Sequence, residues 1–164
     1  MVAAKKIYIS GGDSMTFFYQ IDNIDKLIKF EPTEKSEIRW LKQPDDLYPM
    51  HLFAKDRNPD AVFNEKESLD FFQKWYDKGC IYCALFVDER IVATAAVEKY
   101  SIDKWETGDV RVLRSERNKG YAKQICYFVT KFILKNGKTA TCCTEEDNIA
   151  MQKVIHALGF DSCE

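Results

Sequence analysis

The sequence predicts an α/β domain, a β-sheet flanked by helices, and three observations carry that prediction. Short β-prone runs alternate with longer stretches whose apolar residues fall at helical spacing. Glycines at 79, 137 and 159 close those helical stretches where a left-handed C-terminal residue is wanted. The chain has 164 residues, 46% of them hydrophobic, which suits one domain with one core. Residues 1–164 are read as a single domain, with 1–36 an N-terminal extension and 37–164 the body.

In chain order, Lys5–Ser10 and Met15–Ile21 are β-prone and joined by Gly11-Gly12-Asp13-Ser14, a hairpin pattern. Glu37–Lys42 reads as a strand. A helix is expected from Pro44-Asp45-Asp46, since proline and acidic residues suit a first turn, with Leu47, Met50, His51 and Ala54 following at helical spacing. Lys66–Asp77 is a second helix that buries Leu69, Phe72 and Trp75 or their neighbours. Ile81–Val87 and Arg90–Lys99 flank Asp88-Glu89 as a β-hairpin, and Glu106–Leu113 is a further strand. Gly120–Asn136 is a helix with Ile125, Phe128, Val129, Phe132 and Ile133 on one face. Thr139–Thr144 is a strand. Asp147 or Asn148 then caps a last helix that buries Met151, Val154, Ile155 and Leu158.

Composition excludes several classes. The formal charge is −2, without the basic excess of a nucleic-acid binder. No run approaches the roughly 20 apolar residues of a membrane span. Met1–Ser10 lacks the apolar stretch of a signal peptide, so a cytoplasmic location is expected, with the six cysteines reduced. Cys80 and Cys83 have CxxC spacing, and Cys142 and Cys143 are adjacent. In strands, though, residues one or three apart point to opposite faces. A zinc or redox site is therefore the remote reading, and no metal is expected.

Chemistry concentrates in Val110-Arg-Val-Leu-Arg-Ser-Glu-Arg117-Asn-Lys-Gly120-Tyr-Ala122. A strand runs through a basic loop into a long helix. Helix N-termini carry unpaired amides and partial positive charge, and a small residue lets a phosphate approach the backbone. Neither the GxxxxGK[ST] nor the GxGxxG phosphate motif is present.

Arg117-Asn-Lys-Gly120-Tyr-Ala122 resembles the R/Q-x-x-G-x-G/A motif of the GNAT N-acetyltransferase superfamily, in its usual place after a Val-x-Val strand. Asn148 to Gly159-Phe160 is similar to the superfamily's second signature, an Asn-headed helix ending in Leu-Gly-Phe. The resemblance implies a central mixed, mostly antiparallel sheet flanked by helices. It also implies acetyl-CoA as cosubstrate and a primary amine, on a small molecule or peptide, as acceptor. By the same resemblance, Val110, Arg111 and Val112 match the strand whose backbone pairs with the pantetheine arm, the amide near Val112 polarising the thioester. Arg117, Asn118, Lys119, Gly120, Tyr121 and Ala122 match the pyrophosphate loop, and Asn148 the asparagine near the sulfur. Glu106, eleven residues before Arg117 (117 − 106), matches a frequent general base. Glu98, Asp103 and Asp109 are neighbouring acids.

There are departures from the pattern. Ile155 stands where a tyrosine often serves as general acid, with His156 one step round the helix. Arg114-Ser115-Glu116 replaces the usual proline. These leave a non-catalytic acyl-CoA-binding module as the alternative reading. Only four residues follow Phe160, where relatives add strands. The N-terminal hairpin is therefore expected to supply strands to the sheet, within one chain or across a homodimer.

Overall fold

The computed structural model describes residues 15–31 and 35–163. Seven strands form one sheet: β1 (Thr16–Ile21), β2 (Ser36–Trp40), β3 (Cys80–Val87), β4 (Arg90–Glu98), β5 (Lys104–Val112), β6 (Thr139–Glu145) and β7 (Asp161–Ser162). Four helices surround it: α1 (Leu47–Arg57), α2 (Glu65–Asp77), α3 (Tyr121–Lys135) and α4 (Ile149–Leu158). The strand order is β2-β3-β4-β5-β6-β1-β7. Every pairing is antiparallel except β5 with β6, so the sheet is mixed and mostly antiparallel, as expected.

Alternation along the strands sorts the side chains into two layers. Cys83, Leu85, Ala93, Ala95 and Val97 face α3 and α4, meeting Ile125, Val129, Ile133, Ile155 and Leu158 in the main core. Ala84 and Phe86 face the other way and form a second cluster with Phe53 of α1. The ring of Phe72, the buried residue of α2, meets Tyr82 edge-on on that same side. A buried hydroxyl pair, Thr107 with Thr130 at 3.1 Å, ties β5 to α3 within the main layer.

The hairpin at Asp88-Glu89 forms without glycine, both residues taking positive φ (49° and 63°), as a twisted two-residue hairpin turn requires. Helix α1 starts later than the sequence suggests, at Leu47, with Pro44 in the preceding turn. Asp46 does not cap it with its side chain. Its carboxylate instead takes both Arg39 guanidinium nitrogens (2.7 and 2.8 Å) and the Lys42 amide (2.6 Å), which bridges β2 to the helix start. The CxxC cysteines diverge, Cys83 entering the main core while Cys80 lies across from Glu98 on the opposite face. Cys142 is buried and Cys143 exposed.

The extension does join the sheet. Strand β1 lies antiparallel to β6 along its whole length, from Thr16 opposite Glu145 to Ile21 opposite Ala140. This pairing is within the chain. The first half of the expected hairpin, Lys5–Ser10 and its turn, lies outside the described residues. The strands do not end with β6, however, because β7 pairs with the far edge of β1 after Phe160.

Gly159 closes α4 at φ +92°, and an added Cβ there would come within 2.4 Å of the Lys26 carbonyl oxygen. Gly137 has φ +70° with nothing within 4 Å. Gly137→Ala should then cost only the left-handed strain, about 1–2 kcal/mol. Gly159→Ala adds a backbone collision and should cost above about 3 kcal/mol, in the range reserved for core disruption. Urea unfolding of the two variants side by side checks this; equal losses would contradict the packing argument.

Candidate active-site cleft

Strands β5 and β6 pair in parallel only at Lys104–Glu106 with Thr139–Thr141. Beyond Glu106 they separate, and among the described residues the remainder of β5 has no strand on that side. Two features hold β5 in this position. Antiparallel pairing with β4 continues on its other edge, from Glu98 opposite Glu106 to Ala93 opposite Val112. Leu113, 2% exposed, then plugs the strand end into the second core cluster.

The Leu113 amide donates to the Val92 carbonyl at 2.9 Å. Because hydrogen-bonding direction alternates along an antiparallel ladder, the Val112 amide points away from β4 and into the gap. An extra residue interrupts the ladder between Gly108 and Arg111, with Asp109 at φ 47°. This β-bulge turns the Asp109 side chain toward Arg111 Nε (2.9 Å) and the Tyr82 hydroxyl, which donates to it at 3.1 Å. Val110 and Val112 pack on the main core, so what they offer the gap is backbone.

The gap leads to the start of α3. Arg114–Glu116 forms a single 3-10 turn, and Asn118 (φ 62°) and Gly120 (φ 80°) both take left-handed conformations. Helices α2 and α4 are capped by Asn64 and Asn148, whereas α3 begins on Gly120 without a side-chain cap. The first-turn amides of Tyr121 and Ala122 therefore stay open to an outside acceptor. An added Cβ at Gly120 would meet nothing within 4 Å among the described residues, which leave the space over the loop clear. Arg117, Asn118, Lys119 and Gly120 are all exposed. Lys119 pairs with Glu116 at 2.6 Å, which reduces the negative charge that Glu116 brings to this loop. Open amides, a left-handed glycine and basic side chains fit a pyrophosphate.

On the α1/α2 side of the sheet, acids gather where β5 and β6 part. Glu106 and Glu98 face each other across β5 and β4. Cys143 Sγ donates to Glu106 Oε1 at 3.0 Å. Burial first, then the charges of Glu106 and Asp109, push the Glu98 carboxyl above its ordinary range. Partial desolvation of the sulfur, although the residue as a whole is exposed, holds the Cys143 thiol protonated, pushed up to about 12, with the Glu106 contact adding to it. Tyr82 is likewise kept a neutral phenol by burial and Asp109. Tyr100 and Thr141 hydroxyls meet at 3.0 Å beside the same point.

The sequence-predicted residues fall into two groups. Glu106, Val110, Arg111 and Val112 border the gap, while Arg117 through Ala122 surround the α3 start. Asn148 uses its side-chain oxygen on the Met151 amide (3.1 Å), capping α4, which leaves its nitrogen as the free end. Ile155 is 1% exposed in the core, so its position offers the gap no polar group. Tyr82 and Tyr100 were not singled out from the sequence, and Cys143 only as one of the cysteines of the remote zinc or redox reading. Strand alternation could have grouped Tyr82 with Glu98 once the two-residue hairpin register was known. The β4–β5 bulge hides the rest.

Comparison with known proteins agrees with this geometry. The model described as "Acetyltransferase (GNAT) family" matches residues 35–160. Among solved structures, a GNAT-family acetyltransferase from Colwellia psychrerythraea is 24% identical, with a TM-score of 0.69 over 90% of this chain and 52% of its own. A GCN5-related N-acetyltransferase from Sphaerobacter thermophilus is 13% identical, at TM-score 0.68 over 92% and 49%. AAC(6')-Iy, solved with the bisubstrate analog CoA-S-monomethyl-acetylneamine, is 21% identical, at TM-score 0.62 over 79% and 92%. This chain thus spans about half the length of the first two. No curated protein sequence matches it. The open β5–β6 seam, the uncapped α3 start and the family match over residues 35–160 together establish that the chain belongs to the acetyltransferase (GNAT) family.

Proposed function

We propose that this domain moves an acetyl group from acetyl-CoA to a primary amine by direct attack in a ternary complex. The carrying observation is the seam where β5 leaves β6 after Glu106, since it joins open amides, a phosphate cradle and a carboxylate at one place. Likeness of fold to a protein solved with a CoA-linked bisubstrate analog supports the same reading.

The residues divide the work by their chemistry. Amides of Asn118 to Ala122, with Arg117 and Lys119, hold the pyrophosphate. The backbone of Val110–Val112 pairs with the pantetheine arm, and the free nitrogen of Asn148 contacts it near the sulfur. The Val112 amide donates to the thioester oxygen, where negative charge develops during attack. Glu106 accepts a proton from the acceptor nitrogen, because an amine with a pKa near 10.4 starts out protonated and must shed two protons on its way to an amide. The acids Glu98, Glu106 and Asp109 favour a cationic acceptor.

Buried Ile155 specifically favours the second reading, a module that binds acyl-CoA without turnover. The two differ in CoA release over a panel of amines.

Gly120→Glu places bulk and negative charge over the open loop, so calorimetry should show CoA affinity falling at least about tenfold, roughly 1.4 kcal/mol, with the thermal transition retained. A folded variant with unchanged affinity would remove the cradle from residues 117–122. Glu106→Gln should lower turnover by about 10²-fold or more at neutral pH, since general acid–base groups contribute about that much. CoA affinity should stay unaltered. A loss under about threefold would count against Glu106 as base.

A further inference from the structure

The reaction requires more of the site than one base. Converting an ammonium to an amide strips two protons from the nitrogen: one before attack, to free the lone pair, and one after it. One of the two ends on the departing CoA thiolate and the other in solvent. The cleft holds two facing carboxylates where β5 and β6 part, and only Glu106 has so far been given a proton to carry.

Glu98 is placed for the other. It ends β4 directly across from Glu106, on the same face. Its carboxyl lies over Gly108, where an added Cβ would come within 3.0 Å of Glu98 Oε1. The missing side chain at 108 is thus what makes room for that carboxyl. Glu106 Oε1 is meanwhile taken by the Cys143 thiol, and Asp109 by Arg111 and Tyr82. No protein donor satisfies Glu98 among the described residues, and it is not engaged in any ion pair.

We propose that Glu98 is a second catalytic carboxylate, taking the first proton from the acceptor ammonium while Glu106 handles the second. This rests on the acetyl-transfer reading above. The Glu98 carboxylate takes a proton from R–NH3+, leaving R–NH2. The nitrogen lone pair forms the C–N bond at the thioester carbon, and Glu106 removes the second proton from that nitrogen. The C–S bond breaks, and the thiolate takes the proton from Glu106. Glu98 gives its proton to solvent, so the balance is R–NH3+ plus acetyl-CoA to acetamide, CoA thiol and H+. This division needs no tyrosine at the position of Ile155.

The surroundings suit the role. Groups facing Glu98 are Cys80 and Tyr82 on β3, Glu106 and Asp109 on β5, and Cys143 on β6, with no cation among them. Burial and the two carboxylates raise the pKa of Glu98, bringing it closer to working pH and making it a better acceptor. A raised folded-state pKa means that the stability this group contributes is fully present below the unfolded value and is lost as pH rises through the folded one.

The test uses CoA-thiol release with spermidine, neamine and a lysine-containing peptide. Glu98→Gln should lower turnover at pH 7 by about tenfold or more, as for loss of an acid–base group. The deficit should shrink as pH approaches the amine pKa, because the acceptor then arrives neutral. Glu106→Gln should keep its deficit across that range. Gly108→Ala, which displaces the Glu98 carboxyl without removing it, should show a milder deficit with the same recovery at high pH. Glu98→Gln should also melt higher than the parent at pH 7, with the difference narrowing toward pH 4; this separates lost chemistry from lost folding. Turnover within threefold of the parent at pH 7, or a deficit independent of pH, overturns the role of Glu98 and leaves acetyl transfer standing. If the parent acetylates none of the three amines while binding CoA, the acetyl-transfer reading itself falls, and this proposal with it.

Discussion

The architecture depends on one interrupted seam. Strands β5 and β6 share hydrogen bonds over three residue pairs and then part. An unpaired strand edge inside a sheet leaves polar backbone groups without partners, which proteins ordinarily avoid. Here the edge is kept open by support from elsewhere. Pairing with β4, the Leu113 plug and the Thr107–Thr130 link hold β5, while β1 holds β6 along its far side. The two halves of the sheet are fixed from outside, so the gap between them need not close. Its open amides are then positioned before any ligand arrives, and little ordering entropy is left for binding.

The same seam concentrates charge. Where the strands part, the side chains on the α1/α2 face lose their covering neighbours, and Glu98, Glu106 and Asp109 share that space. Placing carboxylates side by side opposes folding, since each disfavours ionisation of the next. The sheet tolerates this because strand pairing through the backbone fixes Glu98 opposite Glu106 whatever their charges. Groups so arranged are expected at functional sites, where a perturbed proton affinity is put to use. At the other end of the gap the sign reverses, with Arg117 and the α3 N-terminus at an open surface. The cleft is thus basic at one end and acidic at the other, the distribution that the proposed pairing of a polyanionic acyl donor with an ammonium acceptor calls for.

The helix caps show how function competes with local stability. Asn64 and Asn148 satisfy the starts of α2 and α4, as such residues commonly do. α3, the longest helix and the most deeply packed, has no such cap. Its apolar face, with Ile125, Val129 and Ile133 fully buried, supplies enough stability for its first turn to remain available.

Much of this was legible in the sequence. The order of strands and helices followed from periodicity, with α3 and α4 located to within a residue or two by Gly120, Gly137, Asn148 and Gly159. The strand-to-helix loop at 117–122 stood out as a candidate phosphate cradle from residue type alone, because a helix start and a small residue are local features. The same holds for β1, whose β-prone run from Met15 to Ile21 marked it as a strand. Tertiary structure decided the rest. The parallel seam, its early end, the Asp109 bulge, the α1 start shifted by the Arg39–Asp46 pair, and the meeting of Glu98, Glu106, Tyr82 and Cys143 all depend on register between strands distant in the chain. Register is set by packing across the whole sheet, and a single extra residue in β5 changes which side chains meet. Local sequence determined which elements form and where a phosphate could sit. Only the assembled sheet determined which carboxylates stand together at the place where the strands divide.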